Sequence, residues 1–422
     1  MHRAITACRA CGAAALEPVL DLGNLAISDF LEPGQAVERA PLALVRCAGC
    51  ALVQLTHTVD RDRLYRTYHY RSGVNETMVA ALADVVADAM RRVTLEPGDA
   101  VLDVGCNDGT LLGHYPPSVR RIGFDPSDVA TAAWLARGFD YDLVRDYFPT
   151  TRQHTPIPCK IVTAIACFYD LDDPGRFLAE LTRWLHPEGV LVLQLQDLWS
   201  MMTTYAIDNV CHEHLTYWDE GPMTRLLRVH GLEVVAQTNV PINGGSLRVI
   251  ARHGETISPA SWTAVAARPF WVAGDRAERR LLHDWVGWVQ DKKAETVALL
   301  TRLRDEGRTV YGLAASTKFN TLSQYMGIGP DLITAIGERS PSKVGKTTVT
   351  GIPIVDEDTM RAARPDYLFC CAWGFADALM ARERALIEQG TGFIVPLPTL
   401  RVVPGGAGAD LHAAAAASTA GQ

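Results

Sequence analysis

Three short groups of residues in this chain have the types and spacing to do chemistry. Cys8-x-x-Cys11 and Cys47-x-x-Cys50 supply four thiols in two matched pairs, flanked by Gly12 and Gly49. Four thiolates close a tetrahedral shell around zinc and leave no position for a substrate, so the spacing predicts a structural metal site. A redox dithiol would need a single pair opening a helix, which two Gly-flanked pairs do not provide. The second group is the run Val101-Leu102-Asp103-Val104-Gly105-Cys106-Asn107-Asp108-Gly109, an apolar strand entering a Gly-bracketed turn. Gly105 lets the backbone approach a ligand where a Cβ would block it. The dinucleotide fingerprint would place Gly where this chain has Asn107. Asp125, twenty residues past Gly105, closes the next strand, where a carboxylate can accept hydrogen bonds from both hydroxyls of a ribose. The third group is Cys211-His212-Glu213-His214, followed by Tyr217. Two histidines and an acid can supply a general base and the partner that orients it, although the zincin spacing is absent.

The elements that must carry these groups are read from the hydrophobic pattern. Val74–Val93 reads as an amphipathic helix through Met78, Leu82, Val85, Val86, Ala89 and Met90. Ala100–Val104, Arg121–Phe124, Ile161–Ile165 and Val190–Gln196 alternate with helical stretches, as a parallel sheet with crossover helices requires. Leu232–Asn239 and Ser246–Arg252 form an expected antiparallel pair about the turn 241–245. A helical block over Ser261–Glu306 precedes a second βα series: Thr309–Leu313, Leu332–Ile336, Ile352–Val355, Tyr367–Cys371 and Gly392–Val395. The expected fold class is therefore α/β. The expected order is a zinc-binding lobe over residues 1–70, a ligand-binding sheet domain over 71–255, a second doubly wound domain over 256–403, and a Gly/Ala-rich disordered tail over 404–422.

Bulk properties narrow the partners. Lys and Arg number 40 against 48 Asp and Glu, a net charge of -8, with no dense basic stripe. Nucleic acid, whose binding rests on phosphate neutralisation, is excluded as an expected partner. No apolar stretch reaches the roughly 20 residues needed to span a bilayer, and no signal core opens the chain. The ten cysteines fit a reducing compartment, so the expectation is a cytoplasmic protein, monomer or homodimer, acting on a small molecule.

The Asp-x-Gly-x-x-x-Gly turn resembles that of class I methyltransferases, whose Rossmann-like domain binds S-adenosylmethionine. That resemblance puts Asp103, Gly105, Asn107, Asp108, Gly109 and Asp125 around the cofactor, with Asp146 near the adenine. Nearly the whole chain except the tail resembles the sugar C-methyltransferases of deoxysugar biosynthesis, which methylate carbon 3 of nucleotide-linked 4-keto-6-deoxyhexoses. The paired cysteines with Leu22-Gly23 and Phe30-Leu31 between them, Glu213-His214 with Tyr217, and Asn243-Gly244-Gly245-Ser246-Leu247-Arg248 carry it. So do Lys318-Phe319-Asn320-Thr321-Leu322 and Ser340-Pro341-x-Lys343-x-Gly345-Lys346. The resemblance implies His214 as base with Glu213 beside it, and Tyr70 as a further catalytic residue. It implies Asn243, Ser246, Arg248, Lys318 and Asn320 as substrate contacts, and the C-terminal domain as the one that closes over the nucleotide. Tyr70 or Lys318 would steady the oxyanion of an enolate formed by the base. Two positions depart from the better-known members: Cys211 stands where they have Tyr, and Ala166-Cys167-Phe168-Tyr169-Asp170 where they carry a His. Methylation of oxygen or nitrogen in another small molecule of secondary metabolism stays open at this point. So does a zinc-ribbon interaction protein with a vestigial cofactor fold.

Overall fold

The computed structural model describes residues 2–27, 30–32, 34–65, 71–137, 142–150, 155–256 and 269–406; for 129, 137 and 269–276 it describes the backbone alone. Tyr70 and most of the tail, 407–422, lie outside the described residues. The chain forms two compact units. The first comprises Met1–Val19, Leu44–Ser200 and Glu213–Glu278, and the second Leu20–Ala43, Met201–His212 and Arg279–Gln422.

The first unit is built on a seven-stranded sheet. Across it the order is Leu232–Val240, Ser246–His253, Leu185–Gln196, Cys159–Ile165, Ala100–Val104, Arg120–Phe124 and Asp142–Val144. Strand Ser246–His253 runs antiparallel to both its neighbours and the remaining ladders are parallel. The central strands are apolar on both faces because helices cover both. Leu102, Val162 and Leu191 stand in register and feed one core, while Val101, Ile161 and Val190, one residue earlier, feed the other. Helix Glu76–Met90 lays Leu82, Val85, Val86 and Ala89 on the second of these cores, and the Asn75 side chain caps its first turn by accepting from Thr77 N at 3.0 Å. Helix Pro174–Trp184 opens on Asp173, which accepts from Arg176 N at 2.9 Å, and buries Phe177, Leu178 and Leu181 on the opposite face.

A smaller antiparallel sheet carries the paired cysteines, in the order Thr216–Tyr217, Val53–Leu55, Arg39–Cys47 and Leu16–Ala26. Its long strands were not legible in the sequence, where the region reads as short segments. Pro18, Gly23 and Pro41 punctuate the two longest runs and conceal their alternation.

The second unit holds a six-stranded sheet: Ile354–Asp356, Ile336–Glu338, Val310–Leu313, Tyr367–Cys370, Gly392–Val395 and Arg401–Val403. All ladders are parallel except the last. The expected strand Leu332–Ile336 begins only at Ile336. Its first residues finish a turn in which Leu332 and Ile333 both donate to the Gly329 carbonyl, at 3.1 and 3.0 Å. Helix Pro269–Asp305 is 37 residues long and begins in the first unit, where its Glu278 pairs with Arg46 at 2.7 Å. The architecture is the expected α/β one: a cysteine lobe, a Rossmann-like sheet and a second α/β sheet. Among the described residues no helix is long and apolar enough to cross a membrane.

Candidate active site and metal centre

The metal centre is formed by two turns with the same backbone. Gly12 N donates to the Cys8 carbonyl and Ala51 N to the Cys47 carbonyl, each at 2.9 Å. Cys8 N and Cys47 N in turn donate to Ala13 O and Leu52 O, again at 2.9 Å. Gly12 and Ala51 both take left-handed conformations, φ 73° and 71°, which turn each loop so that its two sulfurs face inward. All four Sγ atoms lie within 4.8 Å of one another, and Cys8–Cys50 and Cys11–Cys47 are 3.5 Å apart. A tetrahedron with zinc–sulfur arms of 2.3 Å has edges of about 3.8 Å, so the donor set fits zinc. No pair is a disulfide. The four thiols share protons among themselves: contact with Cys11 holds Cys8 and Cys47 below the usual thiol range, while contact with Cys47 pushes Cys11 up and contact with Cys11 pushes Cys50 up. Gln54 Nε2 donates to Cys8 Sγ at 3.2 Å, an amide hydrogen bond that suits a thiolate.

The cofactor loop leaves the C-terminal end of strand Ala100–Val104. Gly105, Asn107 and Gly109 all have positive φ, 73°, 49° and 74°, so the loop turns back on itself; Gly105 N and Cys106 N donate to the Phe124 carbonyl at 2.8 and 3.1 Å, and Gly109 N to the Cys106 carbonyl at 2.9 Å. A Cβ on Gly105 would meet the Cys167 side chain at 3.2 Å. Asp125 is buried and fixed: Asn107 N donates to one oxygen at 2.9 Å, and Ser127 N and Oγ donate to the other at 2.9 and 2.6 Å. Asp103 and Asp108 are interior supports. Asp103 accepts from Thr163 Oγ1 at 2.6 Å; Asp108 accepts from Thr110 Oγ1 at 2.6 Å and Gly73 N at 2.9 Å. Together with Ser72 N on Asn107 Oδ1, that last bond ties the loop to the turn Ser72–Val74. Asp146 accepts from Tyr147 N and Thr150 Oγ1 just after the third strand. Gly123, which sequence reasoning passed over, matters here. A Cβ there would lie 2.6 Å from Cys106 Sγ, so only Gly lets the loop seat Cys106.

The two histidines separate. His212 is buried, with Nε2 3.0 Å from the Ala40 carbonyl, a packing role within the second unit. His214 is half-buried in the first unit, its ring 4.4 Å from that of Tyr169 and tilted by 57°. Tyr169 belongs to the turn Phe168–Asp170, which comes after strand Cys159–Ile165 at the C-terminal end of the sheet, the end where open α/β sheets bind ligands. Thr216 Oγ1 donates to the Tyr169 carbonyl at 3.0 Å, and Tyr65 Oη to the Glu213 carbonyl at 3.1 Å. His214, Glu213, Tyr65 and the turn Phe168–Asp170 are thus one cluster.

The expected substrate contacts disperse. Arg248 is buried under helix Glu76–Met90, its guanidinium shared by Asp84 at 2.8 Å, Asp88 at 3.3 Å and Gln194 at 2.8 Å. Those ion pairs account for it on the side of the sheet away from the hairpin turn. Ser246 Oγ donates to the Ile242 carbonyl at 3.0 Å, and Asn243 sits exposed at the tip of that turn with φ 55°. In the second unit, Lys318 Nζ donates to Asn209 Oδ1 at 2.6 Å, and Asn320 is buried with Oδ1 accepting from Val349 N.

Comparison with known proteins agrees with this division of labour. Three family models match in order: a "zinc binding domain" over residues 8–65, a "methyltransferase domain" over 74–237, and a "C-methyltransferase C-terminal domain" over 241–398. The C-methyltransferase NovU of Streptomyces niveus is 26% identical across 95% of this chain and 97% of its own. Among solved structures, an S-adenosylmethionine-dependent methyltransferase from Clostridium acetobutylicum aligns with 42% of this chain and 92% of its own, at 12% identity and a TM-score of 0.35. A similar methyltransferase from Aquifex aeolicus covers 40% of this chain and 88% of its own, at 18% identity and a TM-score of 0.32.

Proposed function

Because the chain belongs to the S-adenosylmethionine-dependent C-methyltransferases that join a zinc-binding, a methyltransferase and a C-methyltransferase C-terminal domain, we propose that it methylates carbon 3 of a nucleotide-linked 4-keto-6-deoxyhexose. The observation that carries this reading is His214: half-buried, beside Glu213, and packed against the Tyr169 ring of the turn after strand Cys159–Ile165.

The bound cofactor supplies an electrophilic methyl group. The work left to the chain is to hold it and to make the acceptor carbon nucleophilic. In this reading Asp125, whose carboxylate three donors fix, accepts from the ribose hydroxyls. A carbon beside a ketone becomes nucleophilic when a base removes its proton and the resulting oxyanion is stabilised. In this reading His214 is the base, and the Glu213 carboxylate orients its ring. Cys8, Cys11, Cys47 and Cys50 hold zinc in a closed shell that keeps the lobe folded and takes no part in the reaction.

Deprotonation precedes methyl transfer, so it is visible without turnover. With S-adenosylhomocysteine in deuterated water, the enzyme is expected to exchange the C-3 proton of a nucleotide-linked 4-keto-6-deoxyhexose. His214→Ala is expected to abolish that exchange while S-adenosylmethionine still binds. A product methylated on oxygen or nitrogen, with no exchange at carbon, would sink the proposal and leave the cofactor assignment standing.

A further inference from the structure

Resting on that deprotonation, we propose that Asp170 is the hydrogen-bond donor to the ketone oxygen as it gains charge. Asp170 closes the turn Phe168–Asp170, the same turn whose Tyr169 ring packs on His214. One of its carboxyl oxygens, Oδ1, is buried and meets no hydrogen-bond partner among the described residues. A buried carboxyl oxygen without a partner is far more costly if it carries charge than if it carries a proton, and a proton there is left free to donate to a ligand. The surroundings favour the proton. Burial pushes the Asp170 carboxyl well above the usual carboxylate range, the Glu213 charge pushes the same way, and the neighbouring Tyr65 hydroxyl only partly opposes them. Among the described residues the titratable groups beside it are Tyr65, Glu213 and the Cys167 thiol, which burial first and Asp170 next keep protonated, with His214 against the preceding Tyr169 ring. None of these is a cation at the pH where His214 can act as a base. A neutral acid in a closed site can donate to a developing oxyanion, as a carboxylate cannot.

An enolate oxygen needs such a donor. Lys318, in the second unit, gives one of its hydrogens to Asn209 at 2.6 Å. The step balances within the substrate and these side chains. His214 takes the proton from carbon, the C–H pair forms the carbon–carbon double bond, and the carbonyl π pair moves to oxygen, where the Asp170 O–H holds it. The carbon–carbon π pair would then form the new bond to the methyl group, the broken S–CH3 pair staying on the sulfur of S-adenosylhomocysteine; the oxygen pair returns to the carbonyl, and His214 gives its proton to water.

The test uses full-length wild-type, Asp170→Asn and Asp170→Ala enzymes in the deuterium-exchange experiment, with a nucleotide-linked 4-keto-6-deoxyhexose, S-adenosylhomocysteine and a range of pH. Wild-type exchange is expected to rise as His214 loses its proton and to fall again at higher pH as Asp170 ionises. Asp170→Asn keeps a neutral donor with nothing to ionise. It is expected to retain more than a tenth of the maximal rate and to lose the high-pH fall. Asp170→Ala is expected to lose about 100-fold, the usual effect of deleting one oxyanion donor, with cofactor affinity unchanged in all three. A part that is only structural would leave the high-pH limb of Asp170→Asn as in the wild type, and that result, or full exchange by Asp170→Ala, overturns the assignment. Absence of exchange in the wild type overturns the deprotonation itself, and this assignment with it.

Discussion

Asp103 lies in the parallel ladder opposite Thr163, with its carboxyl oxygen 2.6 Å from the threonine hydroxyl. Burial raises its pKa from 3.8 to about 7; the hydrogen bond from Thr163 opposes that shift and the nearby Asp125 charge adds to it. The native state therefore keeps a proton that the unfolded chain releases near pH 4. The stability this gives is full below about pH 4 and is lost as pH rises through about 7. Asp103→Asn keeps an acceptor for Thr163 and removes the titration. Its unfolding free energy is expected to gain on that of the wild type between pH 4 and 8, at a rate approaching about 1.4 kcal/mol per pH unit midway, and its melting temperature with it. Parallel profiles in thermal unfolding would show that Asp103 ionises freely in the fold. The sequence marked Asp103 as a cofactor contact because it shares a motif with Gly105. It could not show that the side chain points into the ladder, since its orientation depends on register with a strand sixty residues away. His212 and His214 make the same point. They share one tetrapeptide, and only their neighbours, the Ala40 carbonyl in one case and the Tyr169 ring in the other, tell them apart.

At the scale of elements, the cysteine lobe does more than fold itself. Arg9, beside Cys8, is almost wholly buried and donates to Leu55 O at 2.6 Å, Thr58 Oγ1 at 2.8 Å, Asp172 Oδ1 at 3.2 Å and His57 O at 3.3 Å. Gln54, which reaches Cys8 Sγ, also accepts from Arg9 N at 3.0 Å. Strand Val53–Leu55 pairs with Thr216–Tyr217, and Leu55 N donates to the Leu215 carbonyl at 2.9 Å, one residue from His214. Asp172 lies two residues beyond Asp170, the last residue of its turn. Arg9 thus braces both halves of the cluster around His214 and Asp170 against the metal knuckles. Arg9→Met is expected to leave several buried acceptors unsatisfied, at roughly 1–3 kcal/mol each. The melting temperature should fall and deuterium exchange should drop at least about 10-fold through lost positioning. Zinc content should stay near one per chain and S-adenosylmethionine affinity near wild type, by metal analysis and calorimetry. Full exchange activity in a destabilised Arg9→Met enzyme would confine the brace to stability. This brace was illegible in the sequence, where the zinc motif and the His-Glu pair lie some 160 residues apart, whereas the sheet strands Ala100–Val104 and Gly392–Val395 were legible to the residue. Central strands announce themselves as apolar runs; a charged side chain spanning two elements does not.

For the molecule as a whole, the sequence motifs run in order from zinc to cofactor to C-terminal domain, while the compact units take their segments out of order. Leu20–Ala43 and Met201–His212 belong with Arg279–Gln422. The reasons are specific. Ala26 N donates to Gln324 Oε1 at 2.6 Å and its carbonyl accepts from Gln324 Nε2 at 3.0 Å. Leu31 bridges to Thr347, with N–H···O contacts of 2.8 and 2.9 Å in the two directions. Trp373 Nε1 donates to Asp208 Oδ2 at 2.8 Å, and Lys318 Nζ to Asn209. Ala26, Phe30 and Leu31 in one segment, and Met201, Met202, Ile207 and Val210 in the other, are buried. A chain cut after residue 256 would keep the zinc cysteines, the cofactor loop and the His-Glu pair, yet strip these two segments of their partners. Roughly 1.5–3 kcal/mol of burial is at stake for each large apolar side chain, and the polar groups at Asp208, Asn209 and Ala26 would lose their bonds. The fragment 1–256 is therefore expected to aggregate, or to melt well below the full chain, and to bind S-adenosylmethionine weakly despite an intact motif. Size-exclusion chromatography, thermal unfolding and calorimetry on the fragment check this directly. A soluble, monomeric fragment with the cofactor affinity of the full chain would show that Leu20–Ala43 and Met201–His212 fold without the C-terminal sheet, and that the interleaving carries no weight in stability.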